Sequence, residues 1–183
     1  MQDLILRSTR LLLREMQEHD LPEITAMLAE PEQVRYIEFE ANESSARCLL
    51  DWSLRTAQEH PRSAYSLALT FPPENKLIGT CSLVIRDMEL REGDLGFILD
   101  RRYQGNGLAA EAVGQSLLRF GFEQLGLHRI CAVCNPDNKA SIRTIEKTGL
   151  RREAHFREAH WEKGRWNDRL VYATLDHEWK ARL

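Results

Sequence analysis

Apolar residues along the chain repeat at two spacings. Segments in which about every second residue is apolar, bounded by turn-forming residues, are typical of strands. Segments in which apolar residues return every three or four positions are typical of amphipathic helices. The predicted strands cover residues 4–15, 64–71, 76–86, 89–99, 128–134, 151–161 and 166–179. The predicted helices cover residues 20–29, 42–60, 107–124 and 139–147.

The order of these elements is β-αα-βββ-α-β-α-ββ, which is typical of an α/β domain with a mixed sheet. Strands 64–71, 76–86 and 89–99 are joined by short turns, which favours an antiparallel meander. The turn Glu162-Lys163-Gly164-Arg165 joins the last two strands in a long hairpin. A length of 183 residues suits one domain with a full core, so we expect a single domain over residues 1–183.

Two groups of aromatic residues each have two interpretations. The irregular link over residues 30–40 carries Tyr36 and Phe39, which either pack in the core or form one wall of a substrate pocket. Trp161 and Trp166 flank the hairpin turn, and they either cap the core or shape the substrate entrance. The pattern along the chain leaves both questions open.

Composition and charge exclude several classes of protein. Apolar residues make up 43% and charged residues 29%, an ordinary composition for a globular protein. The net charge of −3 gives no electrostatic footprint for nucleic acid. No apolar run reaches membrane-spanning length, and the start Met1-Gln2-Asp3-Leu4 lacks the features of a signal peptide. We therefore expect a cytoplasmic protein, a monomer or a homodimer, with no nucleic-acid or membrane partner.

Cys131 and Cys134 form a C-x-x-C pair, a spacing that redox and metal sites also use. They lie in a predicted strand, where residues three apart point to opposite faces, and the sequence has no second pair of this kind. We therefore expect buried structural thiols. Alternatively, Cys134 lines a pocket at the end of the strand.

The stretch over residues 101–112 carries the clearest chemical signal. It follows an apolar run and leads into a helical pattern, so it is a glycine-bearing turn between a strand and a helix. Such a turn presents unpaired backbone N–H groups and the positive end of the helix dipole, which together bind phosphate. Gly105 and Gly107 permit a close approach or a positive φ, and Arg101 and Arg102 add cationic donors.

Residues 105–110 also match G-x-G-x-x-A, the fingerprint of dinucleotide-binding proteins. The context argues against that function. The fingerprint normally opens the first strand–helix unit and is followed about twenty residues later by an acidic residue at a strand end. Here it comes after about 100 residues, and the next strand ends at Cys134 and Asn135.

Arg102-Tyr103-Gln104-Gly105-Asn106-Gly107 fits the pattern R/Q-x-x-G-x-G/A. It resembles the acetyl-CoA pyrophosphate loop of the GCN5-related N-acetyltransferase (GNAT) superfamily, and the order of elements around it is similar too. Further motifs resemble the subfamily that acetylates the N-termini of ribosomal proteins. These motifs are residues 6–14, 94–100, 134–141 and 164–168.

The resemblance implies a single-domain GNAT fold, an α/β fold whose mixed, mostly antiparallel sheet has about seven strands and flanking helices. It implies that two central parallel strands, residues 89–99 and 128–134, splay apart and that the pantetheine arm of acetyl-CoA pairs with the backbone groups left open. Acetyl-CoA is then the co-substrate, and no metal is implied. Asn138 has an alternative role as a helix N-cap. The residues assigned to the donor are Phe97, Ile98, Leu99, Arg102, Gln104, Gly105, Asn106, Gly107, Leu108, Asn135, Asn138 and Ser141.

The reaction implied by the resemblance is direct transfer of an acetyl group to a primary amine in a ternary complex. The subfamily motifs favour a protein N-terminal α-amino group as the acceptor. Its pKa of about 8, against about 10.4 for lysine, makes the neutral nucleophile easier to form. The alternatives are a small-molecule amine, such as an antibiotic, a polyamine or an amino acid, and a non-catalytic module that binds acyl-CoA.

Many relatives protonate the leaving thiolate with a tyrosine four residues before the glycine that ends a helix. Ile145 occupies that position here and cannot donate a proton, which supports the non-catalytic alternative. The resemblance to the ribosomal-protein subgroup makes Ser141 the candidate acid. Alternatively, Ser141 only supports the start of its helix.

Three side chains are candidates for the base that takes a proton from the amine. His160 lies where relatives place an acidic residue, and imidazole transfers protons well near neutral pH. Glu158 shares a predicted strand face with His160, and Asp94 lies on the strand before the glycine turn. An ordered water without a dedicated base is the alternative. His155 and His160 are odd-spaced on a strand, which argues against a metal pair.

Overall fold

The computed structural model describes residues 4–37 and 42–182. The strands are β1 (Ile5–Arg7), β2 (Leu12–Glu15), β3 (Ala64–Thr70), β4 (Leu77–Asp87), β5 (Glu92–Leu99), β6 (Arg129–Cys134), β7 (Arg151–Glu162) and β8 (Arg165–Leu175). The helices are α1 (Leu21–Leu28), α2 (Glu43–Ala57), α3 (residues 108–124), α4 (Lys139–Lys147) and α5 (Asp176–Lys180).

All of these strands belong to one eight-stranded sheet in the order β1-β2-β3-β4-β5-β6-β8-β7. Neighbouring strands are antiparallel except β5 and β6, which are parallel. A parallel pair needs a long crossover connection, and α3 supplies it between β5 and β6. The predicted α/β fold with a mixed, mostly antiparallel sheet and one central parallel pair is therefore confirmed.

Residues 4–15 form two strands, where the sequence pattern predicted one. The Ser8 N–H donates to the Leu11 carbonyl at 3.0 Å and closes a turn, after which β2 runs back along β1. The prediction was wrong because this turn contains no glycine or proline to mark it. The hairpin raises the number of strands within residues 4–37 and 42–182 to eight, one more than the expected number of about seven.

The end of the chain also differs from the prediction, which continued the last strand to Trp179. β8 ends at Leu175, and α5 follows because the Glu178 carboxylate accepts a hydrogen bond from the Leu175 N–H at 3.1 Å. The buried side chain of Trp179 packs on Phe122 of α3, with the ring centroids 5.4 Å apart. The terminal helix therefore closes the core beside α3.

α3 lies close against the sheet and is not a regular α-helix. Two of its segments, Ala112–Leu117 and Phe120–Gln124, have π-helical hydrogen bonding, a feature that is frequent at functional sites. Gly121 permits the close approach, because a Cβ there would lie 2.7 Å from Ile130 Cδ1. The C-terminal end of this helix therefore packs closely on β6.

The apolar core has two parts, one on each face of the sheet. Alternation along β3 places Leu67 and Leu69 in the part under α3 and Ala68 in the part under α1 and α2. Both parts contain fully buried side chains, such as Leu117 in the first and Leu50 in the second. Over residues 4–37 and 42–182, no helix is both long and apolar enough to cross a membrane.

Candidate active site

β5 and β6 pair along only part of their length. The parallel register runs from Glu92 opposite Arg129 to Leu95 opposite Ala132, although β5 continues to Leu99. Beyond this point β5 pairs with β4 on its other side, and β6 pairs with β8. The two facing edges therefore keep backbone N–H and C=O groups that a ligand can satisfy.

The separation of these strands opens a groove of about 610 Å³, here called the splay groove. It lies between residues 95–99 of β5 and residues 132–134 of β6, and the starts of α3 and α4 contribute to its lining. Arg102, Asn106 and Asn135 do not line it. The predicted donor-binding residues that do line it are Phe97, Ile98, Leu99, Gln104, Gly105, Gly107, Leu108, Asn138 and Ser141.

The glycine turn before α3 presents an open backbone. Gly105 and Gly107 have φ values of 82° and 74°, a region that favours glycine. A Cβ on Gly105 would meet no other heavy atom within 4 Å, so the space above the turn is free for a ligand. The first N–H groups of α3 follow directly and can donate to an anion. The turn therefore fits a pyrophosphate group.

The guanidinium of Arg102 is held by Asp100. Its Nε and Nη2 donate to the Asp100 carboxylate at 3.0 and 2.6 Å, and the Arg102 N–H donates to the same carboxylate at 2.9 Å. These contacts hold the pKa of Asp100 below its ordinary value. In this arrangement the Arg102 side chain stabilises the start of the turn and does not line the groove.

The start of α4 brings Asn138 and Ser141 to the groove. Asn138 Oδ1 accepts the Ser141 N–H at 3.0 Å, which confirms the interpretation of Asn138 as the N-cap. The Ser141 side chain lies next to the Cys134 thiol and lowers its pKa against the larger, opposite effect of burial. Ile145 lies one turn further along α4 and also lines the groove. Its apolar side chain cannot donate a proton.

Cys131 and Cys134 are buried free thiols, as the strand pattern predicted. Burial raises the pKa of Cys131 to about 12 and that of Cys134 to about 11. Both thiols are therefore protonated at neutral pH, which does not suit nucleophilic chemistry. Cys134 also lines the splay groove. Among the residues that the structure describes, no cluster of His, Cys, Asp and Glu could hold a metal ion.

A second cavity, of about 360 Å³, lies between the link after α1 and the β7–β8 hairpin, and is here called the hairpin cavity. His160 and Glu162 of the hairpin line it together with Asn135, at the end of β6. His160 Nε2 lies 3.6 Å from Glu162 Oε2, so a carboxylate can orient the imidazole. Tyr36 lines both cavities and forms part of the wall between them.

Lys163 ties the link to the hairpin. Its Nζ donates to the carbonyls of Val34 and Ile37 at 2.9 and 2.8 Å. Tyr36 lies between these two anchored residues, and the interpretation of the link as a pocket wall holds for it. Phe39, the other aromatic residue considered there, lies outside the described residues.

Glu158 does not lie in the hairpin cavity with His160. The register of β7 on β8 shifts between Phe156 and His160, and Glu158 has a positive φ of 50°. This bulge interrupts the alternation on which the predicted shared face depends, so that expectation was wrong. Glu158 is exposed, and its N–H donates to the Asp168 carboxylate at 2.8 Å.

Asp94 lies in the paired part of β5, opposite Cys131 of β6, and lines neither cavity. Its carboxylate forms an ion pair with Arg86 at 3.1 Å. Burial raises the pKa of Asp94, and the Arg86 charge offsets only part of this effect.

Trp161 and Trp166 are 61% and 56% exposed, so the interpretation that they cap the core is wrong. Their rings pack edge to face with centroids 5.5 Å apart. Neither residue lines the splay groove or the hairpin cavity. They form an exposed aromatic pair on either side of the hairpin turn.

Sequence reasoning did not single out Glu162 and Lys163, which it assigned only to a turn. Alternation could have found Glu162, because it lies two residues after His160 on the same strand. Nothing in the sequence signals the contact of Lys163 with the link, because 129 positions separate it from Val34.

A mixed sheet that splits between two parallel strands, with open backbone edges and a phosphate-compatible turn at the split, defines an acyl-CoA-dependent acetyltransferase. The chain belongs to the acetyltransferase (GNAT) domain family, whose model matches residues 10–151. The resemblance drawn from the motifs is thereby confirmed. The protein is an N-acetyltransferase by family, and acetyl-CoA is its acetyl donor.

The similarity to known members extends over nearly the whole chain. The uncharacterized N-acetyltransferase p20 of Bacillus licheniformis is 30% identical over 176 residues, which are 95% of this chain and 97% of that protein. The uncharacterized N-acetyltransferase YnaD of Bacillus subtilis is 40% identical over 86 residues, 47% of this chain and half of its own length. A GNAT-family acetyltransferase from Bacillus anthracis superimposes with a TM-score of 0.82 at 26% identity, covering 96% of this chain and 100% of that one.

Two further matches have names that include a substrate. The ribosomal protein uS5-alanine N-acetyltransferase of Escherichia coli is 28% identical over 119 residues, 64% of this chain and 60% of that enzyme. The spermidine N-acetyltransferase of Vibrio cholerae, solved with CoA and spermine, has a TM-score of 0.79 at 21% identity, covering 94% of this chain and 99% of that one. The second match shows a shared fold only.

Proposed function

We propose that the protein transfers the acetyl group of acetyl-CoA directly to a protein N-terminal α-amino group in a ternary complex. The observation that carries this proposal is the hairpin cavity, which adjoins the splay groove at Tyr36. Donor and acceptor can occupy the two cavities at the same time, so the acetyl group can pass directly between them without a covalent acetyl-enzyme intermediate. The relative named for the alanine of uS5 supports this choice of acceptor.

The donor is assigned to the splay groove. The amides of the pantetheine arm pair with the open edges of residues 97–99 and of Val133, and the pyrophosphate lies on the turn over residues 105–108. The N–H groups of β5 near the thioester stabilise the negative charge that develops on its oxygen during attack. Because these groups belong to the backbone, they are held in place by the sheet and need no reorganisation.

Two side chains are assigned to proton transfer. His160 takes the proton from the attacking amine, and Glu162 beside it orients the imidazole. Ser141 donates a proton to the leaving thiolate from the splay groove and regains one from solvent, to which the His160 imidazolium releases the proton of the amine. These roles for His160 and Ser141 require that the acceptor amine enters from the hairpin cavity. They also require that the thioester lies near Tyr36, which forms part of the wall between the two cavities.

The charges around the hairpin cavity favour a peptide N-terminus over a polyamine. Arg35, Lys163 and Arg165 line it, and Glu162 is the one carboxylate among the described lining residues. A polyamine carries several positive charges, which these cations repel. A peptide N-terminus brings a single amine into the cavity, and that amine reacts in its neutral form. A small-molecule acceptor with a single amine is the second candidate, because a cavity of about 360 Å³ accommodates one.

Thiol release from acetyl-CoA in the presence of a panel of acceptors tests the proposal. The panel contains a peptide with a free N-terminal alanine, the same peptide with a blocked N-terminus and an internal lysine, spermidine and free amino acids. We expect only the free N-terminus to accelerate release strongly. Mass spectrometry of cellular proteins after overexpression then identifies the natural acceptor by its acetylated N-terminus.

The other outcomes of the panel are equally informative. If spermidine or an amino acid accelerates thiol release more than the peptide does, the acceptor is a small-molecule amine and not a protein N-terminus. If acetyl-CoA binds in calorimetry but no amine in the panel or in a cell extract accelerates release, the proposed catalytic role is contradicted and the non-catalytic alternative gains support.

A further inference from the structure

The hairpin of β1 and β2 is joined to the first turn of α3 through one carboxylate. Ser8 Oγ and the Arg10 N–H donate to Glu111 Oε1 at 2.7 and 2.6 Å. Arg10 Nε donates to Glu111 Oε2 at 2.7 Å. Three donors from the hairpin therefore converge on Glu111, although about 100 positions separate them from it in the sequence.

Glu111 lies one helical turn from the glycine turn. Its N–H donates to the Gly107 carbonyl at 3.0 Å, and four residues of helix rise only about 6 Å. Only 9% of its side chain is exposed, so water screens its charge poorly. Burial by itself raises the pKa of Glu111, but the hydrogen bonds from Ser8 and Arg10 outweigh it and hold the pKa below its ordinary value. A negative charge therefore lies close to the place assigned to the pyrophosphate.

The Arg10 guanidinium lies between this carboxylate and the turn. Its Nε bonds Glu111, while its Nη2 donates to the Asn106 carbonyl at 3.1 Å. The same Nη2 lies 3.9 Å from the position that a Cβ on Gly107 would occupy. The positive charge therefore lies where it can offset the negative charge of Glu111 and stabilise the backbone of the glycine turn through the Asn106 carbonyl.

We propose that Arg10 is a positioning residue for the acetyl donor. Its guanidinium neutralises Glu111 and binds the Asn106 carbonyl, so the turn presents N–H groups to the pyrophosphate without an adjacent uncompensated carboxylate. The inference rests on the proposed function, in which the pyrophosphate of CoA lies on this turn. It assigns to the N-terminal hairpin, which does not line the splay groove, a role in donor affinity.

Calorimetric titration with CoA tests this role through a double-mutant cycle on the Arg10–Glu111 ion pair. Arg10→Met keeps the apolar part of the side chain and removes the charge, and we expect the Kd for CoA to rise about tenfold. Glu111→Gln keeps an acceptor oxygen for Ser8 and removes the negative charge near the pyrophosphate, so we expect CoA to bind at least as tightly as to the unsubstituted protein. The double variant, with both substitutions, should regain most of the affinity that Arg10→Met loses.

Two controls separate this role from other effects. Arg7→Met makes the same change in net charge at an exposed position of the same hairpin, and its Kd should match that of the unsubstituted protein. Dephospho-CoA lacks the 3′-phosphate but keeps the pyrophosphate, so Arg10→Met should weaken it by the same factor as CoA. Thermal unfolding of every variant reports whether the fold is retained at the titration temperature.

The outcomes distinguish this inference from the proposed function. Gly105→Glu places a side chain and a negative charge on the turn, and normal CoA binding by this variant would show that the proposed donor site is wrong. If Gly105→Glu abolishes binding while Arg10→Met binds CoA normally, only the inference about Arg10 is overturned. It is also overturned if the double variant binds as weakly as Arg10→Met, or if Arg10→Met weakens CoA but not dephospho-CoA.

Discussion

The hydroxyl of Ser141 and the imidazole of His160 lie in different cavities, and this separation makes their roles testable one at a time. Ser141 lines the splay groove next to the Cys134 thiol, whereas His160 lines the hairpin cavity beside Glu162. The N-cap of α4 comes from Asn138, so the Ser141 hydroxyl has no capping role. Substitution of either residue can therefore affect chemistry without removing a helix cap.

Ser141→Ala should lower kcat by about a hundredfold, because it removes the proposed proton donor to the leaving thiolate. The affinity for CoA should change little, since the Asn138 side chain still accepts the backbone N–H of residue 141. Steady-state kinetics and calorimetry measure the two quantities separately. Cys134→Ala, which removes the neighbouring thiol and keeps the hydroxyl, serves as the matched control. An unchanged kcat in Ser141→Ala would eliminate the hydroxyl as the acid.

His160→Gln should lower kcat with the acceptor by about a hundredfold and leave the Kd for CoA unchanged. The reason is that His160 lines the hairpin cavity and not the splay groove. Glu158→Gln is the matched control on the same strand, and it should retain full turnover because Glu158 lies exposed at a bulge. Full turnover in His160→Gln would favour an ordered water as the base.

The β7–β8 hairpin has a role beyond extending the sheet. Lys163 and Gly164 form its turn with φ values of 50° and 75°, and the Lys163 ammonium binds the carbonyls of Val34 and Ile37 in the link. A two-residue turn of this kind matches the twist of the two strands, and the two hydrogen bonds of the ammonium hold the lysine on the link. The hairpin therefore positions the wall that carries Tyr36, and through it the boundary between the two cavities.

Lys163→Met should raise the KM for the acceptor several-fold, because the link loses the cation that binds its two carbonyls. The Kd for CoA should stay the same, since Lys163 does not line the splay groove. Initial-rate measurements at varied acceptor concentration and saturating acetyl-CoA give this value. Lys180→Met, an exposed substitution in α5, is the control. A fall in kcat alone, with an unchanged KM, would contradict a positioning role for Lys163.

At the scale of the whole molecule, one buried ion pair connects three elements of the fold. Arg14 Nη1 and Nη2 donate to the Asp20 carboxylate at 2.8 and 2.7 Å, and Nη2 also donates to the Asn75 carbonyl at 3.0 Å. β2, the start of α1 and the turn between β3 and β4 therefore meet at this pair. Asp20 is the N-cap residue of α1, but its side chain forms no capping bond because Arg14 and the Gln17 N–H engage the carboxylate.

Asp20→Asn should lower the free energy of unfolding by about 3 kcal/mol, because it leaves the buried Arg14 charge without its counter-charge. Urea denaturation measures this loss as a shift of the midpoint. Asp51→Asn removes one partner of Arg47 in an exposed ion pair and should leave the midpoint nearly unchanged. Equal midpoints for Asp20→Asn and Asp51→Asn would show that the buried pair does not stabilise the fold.

Local patterns predicted most elements because each depends on neighbours in the sequence. The glycine turn at Gly105 and Gly107, the N-cap at Asn138 and the strand around Cys131 all fall where the sequence placed them. The errors occur where the local signal is weak. The turn before Leu11 contains no glycine or proline, and the bulge at Glu158 has no residue that marks it.

The sequence by itself determined the class of fold and the position of the glycine turn, because turns, strand alternation and helical spacing are local properties of the chain. The acetyltransferase family, and with it the central parallel strand pair, followed from the resemblance of its motifs to known proteins. The tertiary structure alone decided which side chains meet. The pairing of Arg10 with Glu111, the contact of Lys163 with the link and the exclusion of Glu158 from the hairpin cavity depend on strand register and on packing across the sheet, and no local pattern encodes such long-range contacts.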